Sequence, residues 1–482
     1  MRLIYAYMVS LVLLFAVSCD RWLDVKPYDK ISQDELLSSE QGYIKFLNGI
    51  YVEMNRDMLY GAALTVEMIE IMGGAYVIGT DNSVWGNYRD LASYKYGTDY
   101  WRARMNETWN KAYSLILNCN LLLENIEKVE VSFTGDNFKV IKGEALALRA
   151  MLHFDMLRLF GPVYSKYPDQ QAIPYYKAYS VTPNPLLSAA EVAEMIMADL
   201  QEARILLAGD PIRTDGTRMD VPSDGTSTFM SYRSLRMNYY AVTALLARSA
   251  LYFGDMESAH RYSTEVIKAA GEGIFPFVDK SLVTGSPDDP DRIFSSEVIF
   301  ALTHSQRNTL FKNYFDPSRI PNYVFRMDND LMSEIVFGGG AATGGNQDDY
   351  RYRVNWVATG ANRYYYKYSD MVDSGNIRNT MIPMLRLGEI YLIAAESSPE
   401  GLAAGLDYVN TLRSHRGVGK LQELTEDLLR YEYIREVYGE GQLFYMYKRM
   451  YAPVMFTSKD SKNPQPSDAI FTVPLPDSEI EN

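Results

Sequence analysis

Cysteine and histidine are scarce in this sequence. Two cysteines and four histidines occur in 482 residues. Two thiols cannot make a disulfide framework. The histidines, at 153, 260, 304 and 415, are scattered and show no H-E-x-x-H spacing, which excludes that zinc-hydrolase pattern. No G-x-S-x-G nucleophile elbow occurs either. Gly338–Asn346 is glycine-rich but has no following Lys-Ser/Thr, so it is no phosphate-binding loop and reads as a mobile one. Asp220–Gly225 resembles only a fragment of a calcium loop, with Pro222 at a ligand position. No catalytic residue, metal or cofactor is therefore expected. Positive charge is also short: 47 Lys and Arg face 61 Asp and Glu, a net charge of −14. Nucleic acid and anionic lipid headgroups need basic patches and are disfavoured as partners. Beyond the N-terminus no run reaches the length of apolar residues needed to span a bilayer.

Apolar helix formers and aromatic rings are abundant. Hydrophobic residues make up 47% of the chain, with 38 Tyr and five Trp. From Glu144 to Phe160 there is no Gly or Pro, and apolar residues fall all round a helix. Such a helix is buried among other helices. Gly161-Pro162 is a stop signal, Gly for a left-handed turn and Pro as a breaker. Ser32-x-x-Glu35 and Ser188-x-x-Glu191 read as capping boxes. Helix pairs are expected at 106–127 with 138–160, at 234–270, and at 384–397 with 401–416. Small residues at Ala247, Gly254 and Ala259 match tetratricopeptide spacing. A last helical segment is expected over 425–450, and short β runs at 298–302 and 351–368. The charges at Arg386 and Glu389, and at Glu432, Arg435 and Glu436, are three to four apart and read as ion pairs along helices. Cys119 reads as a small buried apolar residue.

Met1–Ser18 has one basic residue, Arg2, then an apolar run ending in small residues before Cys19. This is a secretory signal pattern. Its end resembles the bacterial lipoprotein box, which implies a lipid anchor on Cys19.

Thr80–Trp101 concentrates Trp85, Tyr88 and Trp101 among Asp81, Asn87 and other polar residues. It reads as a loop carrying large rings. Flat aromatic faces rimmed by amide, carboxylate and guanidinium groups suit the apolar and hydroxyl faces of a sugar. These residues are the candidate ligand contacts, with Tyr323, Trp356 and Tyr364 as weaker candidates.

Several segments resemble one known family. Cys19-Asp20-Arg21-Trp22-Leu23 is similar to its start. Leu148-Arg149-Ala150, Phe154-Asp155 and Leu157-Arg158-Leu159-Phe160-Gly161 are similar to its central helix. Leu385-Arg386-Leu387-Gly388-Glu389, Asn410-x-x-Arg413, Ile434-Arg435-Glu436, Lys448-Arg449 and Val473-Pro474-Leu475-Pro476 follow in its order. The chain thus resembles the SusD/RagB family of Bacteroidetes outer-membrane lipoproteins. The resemblance implies a mostly α, SusD-like fold of tetratricopeptide-like helix pairs with irregular insert loops and minor β structure. It implies one domain over 19–482, with halves at about 20–230 and 270–482. It also implies a cell-surface, lipid-anchored protein that is not an enzyme, binds an oligosaccharide or a peptide, and delivers it to a SusC-like TonB-dependent transporter. Two other readings are an exported glycan hydrolase, which needs two carboxylates at a fixed separation, and a purely structural partner of the transporter.

Overall fold

A computed structural model describes residues 33–128, 130–180, 182–217, 228–285, 289–320, 323–373, 375–454 and 464–480. The signal segment, Cys19, the Ser32 cap and the calcium-loop fragment lie outside the described residues.

The fold is a stack of helices. Its main members are α1 (Glu40–Met54), α2 (Met68–Met72), α3 (Asn82–Ala92), α4 (Asp99–Ile126), α5 (Asn137–Phe160), α6 (Ala189–Leu206), α7 (Tyr239–Tyr252) and α8 (Met256–Gly271). After strand β1 (Val298–Thr303) come α9 (Tyr350–Asn355), β2 (Trp356–Thr359), β3 (Asn362–Tyr365) and β4 (Met381–Arg386). Then follow α10 (Leu387–Glu396), α11 (Leu406–His415), α12 (Glu426–Val437) and α13 (Leu443–Met450). Neighbours in space run α4 on α5, α5 on α6, α6 on α7, α7 on α8, α8 on α10, and α10 on α11 and α12. The three expected helix pairs are members of this stack. At the α7–α8 turn Gly254 holds a positive φ of 81°, which a side chain rarely adopts.

Helix α5 is the centre of the stack, and every residue from Gly143 to Phe160 is buried. Its polar residues survive burial because each has a partner. Glu144 accepts from the Tyr51 hydroxyl at 2.7 Å and from Arg233 at 2.6 Å. Arg149 grips Asp199 with two bonds of 2.7 Å. Asp155 accepts from Tyr60 at 2.6 Å and pairs with Arg158. Burial pushes His153 down to about 3, so its ring is neutral at physiological pH. Gly161 does not take the left-handed turn expected of it. It is extended, at φ −71°, and a Cβ there would lie 2.6 Å from the Leu157 carbonyl. The helix end is satisfied instead by Lys448 of α13, whose Nζ donates to the Arg158 and Gly161 carbonyls at 2.8 and 2.6 Å.

Ser188 and Glu191 form the expected capping box of α6. Strand β1 covers the expected β run and pairs antiparallel with β4. The run expected at 351–368 divides into α9 and the β2–β3 hairpin. The segment expected as one helix over 425–450 breaks between α12 and α13. Gly439 and Gly441 have positive φ there, and a Cβ on Gly441 would lie 2.0 Å from the Leu64 carbonyl. Glu70 of α2 accepts both of their amides, at 3.0 and 2.8 Å.

Arg386, Arg413, Glu432 and Glu436 sit with Arg351 and Arg416 in one buried network between α9, β4, α11 and α12. Glu436 accepts from Arg351, Arg386 and Arg416 at 2.9, 2.7 and 2.9 Å. Glu432 pairs with Arg351 at 3.1 Å and with Arg413. Arg416 also pairs with Glu297 at 2.6 Å. Arg386 and Glu389 are not partners: Glu389 takes Arg248 of α7 at 2.7 Å. These pairs cross between elements because a buried charge takes whichever partner faces it, while Glu432 also meets Arg435 of its own helix at 3.0 Å, as its spacing suggests. Gly388 is glycine because a Cβ would lie 2.1 Å from a Glu436 carboxylate oxygen. The glycine-rich segment 338–346 is held by the same network, with Arg413 donating to the Gly344 carbonyl at 2.8 Å. Cys119 is buried, as expected.

Candidate ligand-binding surface

Thr80–Trp101 is not the loop its composition suggests. Asp81 caps α3, accepting from the Ser83 amide at 2.9 Å and the Ser83 hydroxyl at 2.7 Å. Those bonds hold its carboxyl below the usual carboxylate range. Helical geometry then places Trp85 and Tyr88, three apart, on one face. Asn87 and Arg89 are exposed. Trp85 lies across Gly79, where a Cβ would come within 2.4 Å of the indole nitrogen. Only glycine lets the ring pack there.

A distant segment completes the surface. The Val77 amide donates to the Arg326 carbonyl at 2.9 Å, and the Phe325 amide to the Tyr314 carbonyl at 2.6 Å. These bonds bring Tyr314, Tyr323 and Phe325 against α3. Trp85 and Tyr323 meet edge to face with centroids 6.0 Å apart, and Tyr88 meets Tyr323 at 5.0 Å. Phe325 lies beneath, 6.3 Å from Trp85 and 5.2 Å from Tyr88. Trp85, Tyr314 and Tyr323 are half-buried, while Phe325 is fully buried. Tyr88 is nearly buried, and its hydroxyl donates to Glu67 at 3.3 Å. Burial pushes that phenol far above its ordinary value. Arg104 holds the other Glu67 oxygen at 2.9 Å. Arg319 lies over the Tyr323 ring, 4.8 Å from its centroid.

Three candidates take a different position. Trp101 is fully buried under α3, and its indole donates to the Asn87 carbonyl at 2.6 Å. Trp356 is 2% exposed and packs on Tyr365 and Tyr438, both at 5.0 Å. Tyr364 is 3% exposed. None of the three presents a face to a ligand, because large apolar rings gain most from full burial. The structure therefore joins Trp85, Tyr88 and Tyr323, leaves Asn87 and Asp81 on the rim, and sends Trp101, Trp356 and Tyr364 into the core. Tyr314, Phe325 and Arg319 were not legible beforehand, since their segment carries no motif and reaches the site only through the tertiary fold.

A second aromatic recess, about 410 Å³, lies elsewhere along α4, between Trp109, Tyr113 and Tyr176. Among the described residues no group of three or more His, Cys, Asp or Glu could hold a metal ion. Glu432, one of the fully buried carboxylates, is poorly suited to donating a proton, whereas burial raises Glu70 to about 8. Burial raises Glu432, but Arg435, Arg351 and Arg413 overcome it and hold the group at about 2.

Residues 21–218 match a SusD-like family model described as starch-binding, associating with outer membrane. A SusD-like protein of Formosa agariphila is 23% identical over 337 residues, 64% of this chain and 62% of that protein. The matched stretch thus spans under two thirds of the curated relative. A SusD superfamily structure from Bacteroides thetaiotaomicron, 19% identical, superposes with a TM-score of 0.67 over 92% of this chain and 98% of its own. Residues 21–218 are thus similar to the SusD-like family, and the chain has a SusD-like fold. Its SusD-like fold is shared with a carbohydrate-binding protein of Bacteroides vulgatus, 20% identical, with a TM-score of 0.68 over 92% and 96% of the two chains. A laminarin-binding SusD-like protein, 16% identical, matches at 0.59 over 86% and 92%. The mostly α architecture with minor β structure is that of the SusD superfamily. No helix among the described residues is long and apolar enough to cross a membrane.

Proposed function

We propose that this SusD-like chain is a non-enzymatic capture protein for an oligosaccharide, acting at the Trp85–Tyr323 surface. The convergence of those rings carries the reading: two half-buried rings, over 230 positions apart in sequence, meet at 6.0 Å on a rigid aromatic base. Half-buried rings fixed from below lose little conformational freedom when a sugar face stacks on them. The SusD-like family description and the carbohydrate-binding and laminarin-binding neighbours support a glycan as ligand. In this reading Cys19 carries a lipid anchor, the protein sits at the outer-membrane surface, and ligand passes to a SusC-like TonB-dependent transporter.

Calorimetric titration of the mature chain with a panel of oligosaccharides and peptides tests the proposal. One glycan class is expected to bind in the micromolar to millimolar range without being cleaved. Binding of peptides alone, or release of shortened sugars, would overturn it.

A further inference from the structure

Arg319 has an unused guanidinium beside the aromatic surface. It ends the single turn Pro317–Arg319, which Asp316 caps by accepting from the Ser318 amide at 2.8 Å. Its group lies 4.8 Å from the Tyr323 centroid. Its Nε is buried and has no hydrogen-bond partner, and no carboxylate pairs with it among the described residues. The Nε of Arg104 is likewise unpartnered, but the nearby arginines engage their terminal nitrogens. Arg104 uses its fork on Glu67 at 2.9 Å and on the Asp57 carbonyl at 2.8 Å. Arg89 donates to the Thr80 carbonyl at 3.1 Å. What sets Arg319 apart is that its terminal nitrogens meet no acceptor among the described residues, so a guanidinium fixed over Tyr323 at the edge of the surface is placed to take its acceptor from a ligand.

We infer that Arg319 selects an acidic sugar, one bearing a carboxylate or a sulfate ester, within the oligosaccharide captured at Trp85 and Tyr323. The inference rests on the capture reading and names its ligand class. A planar guanidinium matches two oxygens of a carboxylate or sulfate with two parallel bonds, which a single sugar hydroxyl cannot offer. Stacking on Tyr323 holds the plane in place, so little side-chain freedom remains to be lost on binding. The chain's net charge of −14 opposes an anionic ligand only at long range. Ions at physiological strength screen that field within about 8 Å, which leaves the local cation to decide.

The test is titration of matched neutral and acidic oligosaccharides, uronate-bearing and sulfated, into the full mature chain and into Arg319→Gln, Arg319→Lys and Trp85→Ala. Acidic ligands are expected to bind at least about tenfold tighter than their neutral counterparts, the scale of one charge-assisted contact. That preference should weaken as salt rises from about 0.05 to about 0.5 M. Arg319→Gln should abolish the preference, bringing the acidic-to-neutral affinity ratio to about one, while Arg319→Lys keeps the salt dependence at lower affinity. Uronate and sulfate ligands tested separately identify which oxyanion is favoured. Neutral sugars bound as well as acidic ones, in a Trp85-dependent way, would overturn the role of Arg319 and leave capture standing. Equal weakening of both ligand types by Arg319→Gln would do the same, reducing Arg319 to a support for Tyr323. Failure of every sugar to bind would instead overturn capture itself.

Discussion

Glu436→Gln should lower the unfolding free energy by about 3–5 kcal/mol, the usual loss when one partner of a buried charge cluster is removed. Glu436 is fully buried and faces three guanidinium groups, those of Arg351, Arg386 and Arg416. The amide keeps the shape of the carboxylate but leaves three buried cations short of one charge. Denaturant unfolding by circular dichroism measures the change. Arg56→Gln, which breaks an exposed pair with Glu53, is the control and should leave stability nearly unchanged. A Glu436 effect as small as the control would mean the network is not what holds α12 to its neighbours. The same cluster sets the acid limit. Burial raises Glu432 and Glu436, but their arginines prevail, holding Glu432 at about 2 and Glu436 well below its ordinary value. An unfolded glutamate titrates near 4.5. A folded carboxyl with a depressed value binds its proton later than the unfolded one. Its stabilisation is therefore complete above about pH 4.5 and is lost as pH falls towards about 2, roughly 3 kcal/mol for Glu432 alone. Unfolding followed between pH 6 and pH 2 should show this loss, and a flat profile would contradict it.

Trp85→Ala and Tyr323→Ala should each weaken glycan binding by at least about tenfold, or roughly 1.4 kcal/mol. Trp85 supplies the broad ring face, and Tyr323 fixes that ring from the side at 6.0 Å. Because the two touch, the double variant should lose less than the sum of the single losses. Gly79 lies under the indole, so each variant needs a check that the fold is kept. Strict additivity would mean that the two rings serve separate places. No loss from either would remove the surface from the binding account.

Much of the fold was legible because burial leaves a direct trace in composition. The run from Glu144 to Phe160 is apolar on every side, and the structure buries all of it. Ser188 and Glu191 stood at capping spacing and form the cap. Where the sequence misled, tertiary partners outvoted local signals. Polar composition made 80–101 read as a loop, yet the same Asp81 that suggested polarity caps a helix. Of the charges spaced for pairing along a helix, Glu432 and Arg435 do pair at 3.0 Å, whereas Arg386 turns to Glu436 and Glu389 to Arg248 across elements. Gly439 and Gly441 interrupt an otherwise helical run, since only glycine fits the turn that Glu70 clamps. The site divided for similar reasons. Trp85 and Tyr88 carried a local signal, three-residue spacing of rings in polar surroundings. Trp101 had the same surroundings but faces inward. Arg319 carried no signal at all, because its meaning depends on a Tyr323 ring whose partner Trp85 is far away in the chain.

The most direct test of the account is a crystal structure of the mature chain with the oligosaccharide that titration identifies. A pyranose ring is expected to stack on Trp85, with Tyr323 beside it and the Arg319 guanidinium within hydrogen-bond distance of a sugar oxygen. A sugar seated elsewhere, for example in the recess between Trp109, Tyr113 and Tyr176, with Trp85 unoccupied, would contradict it.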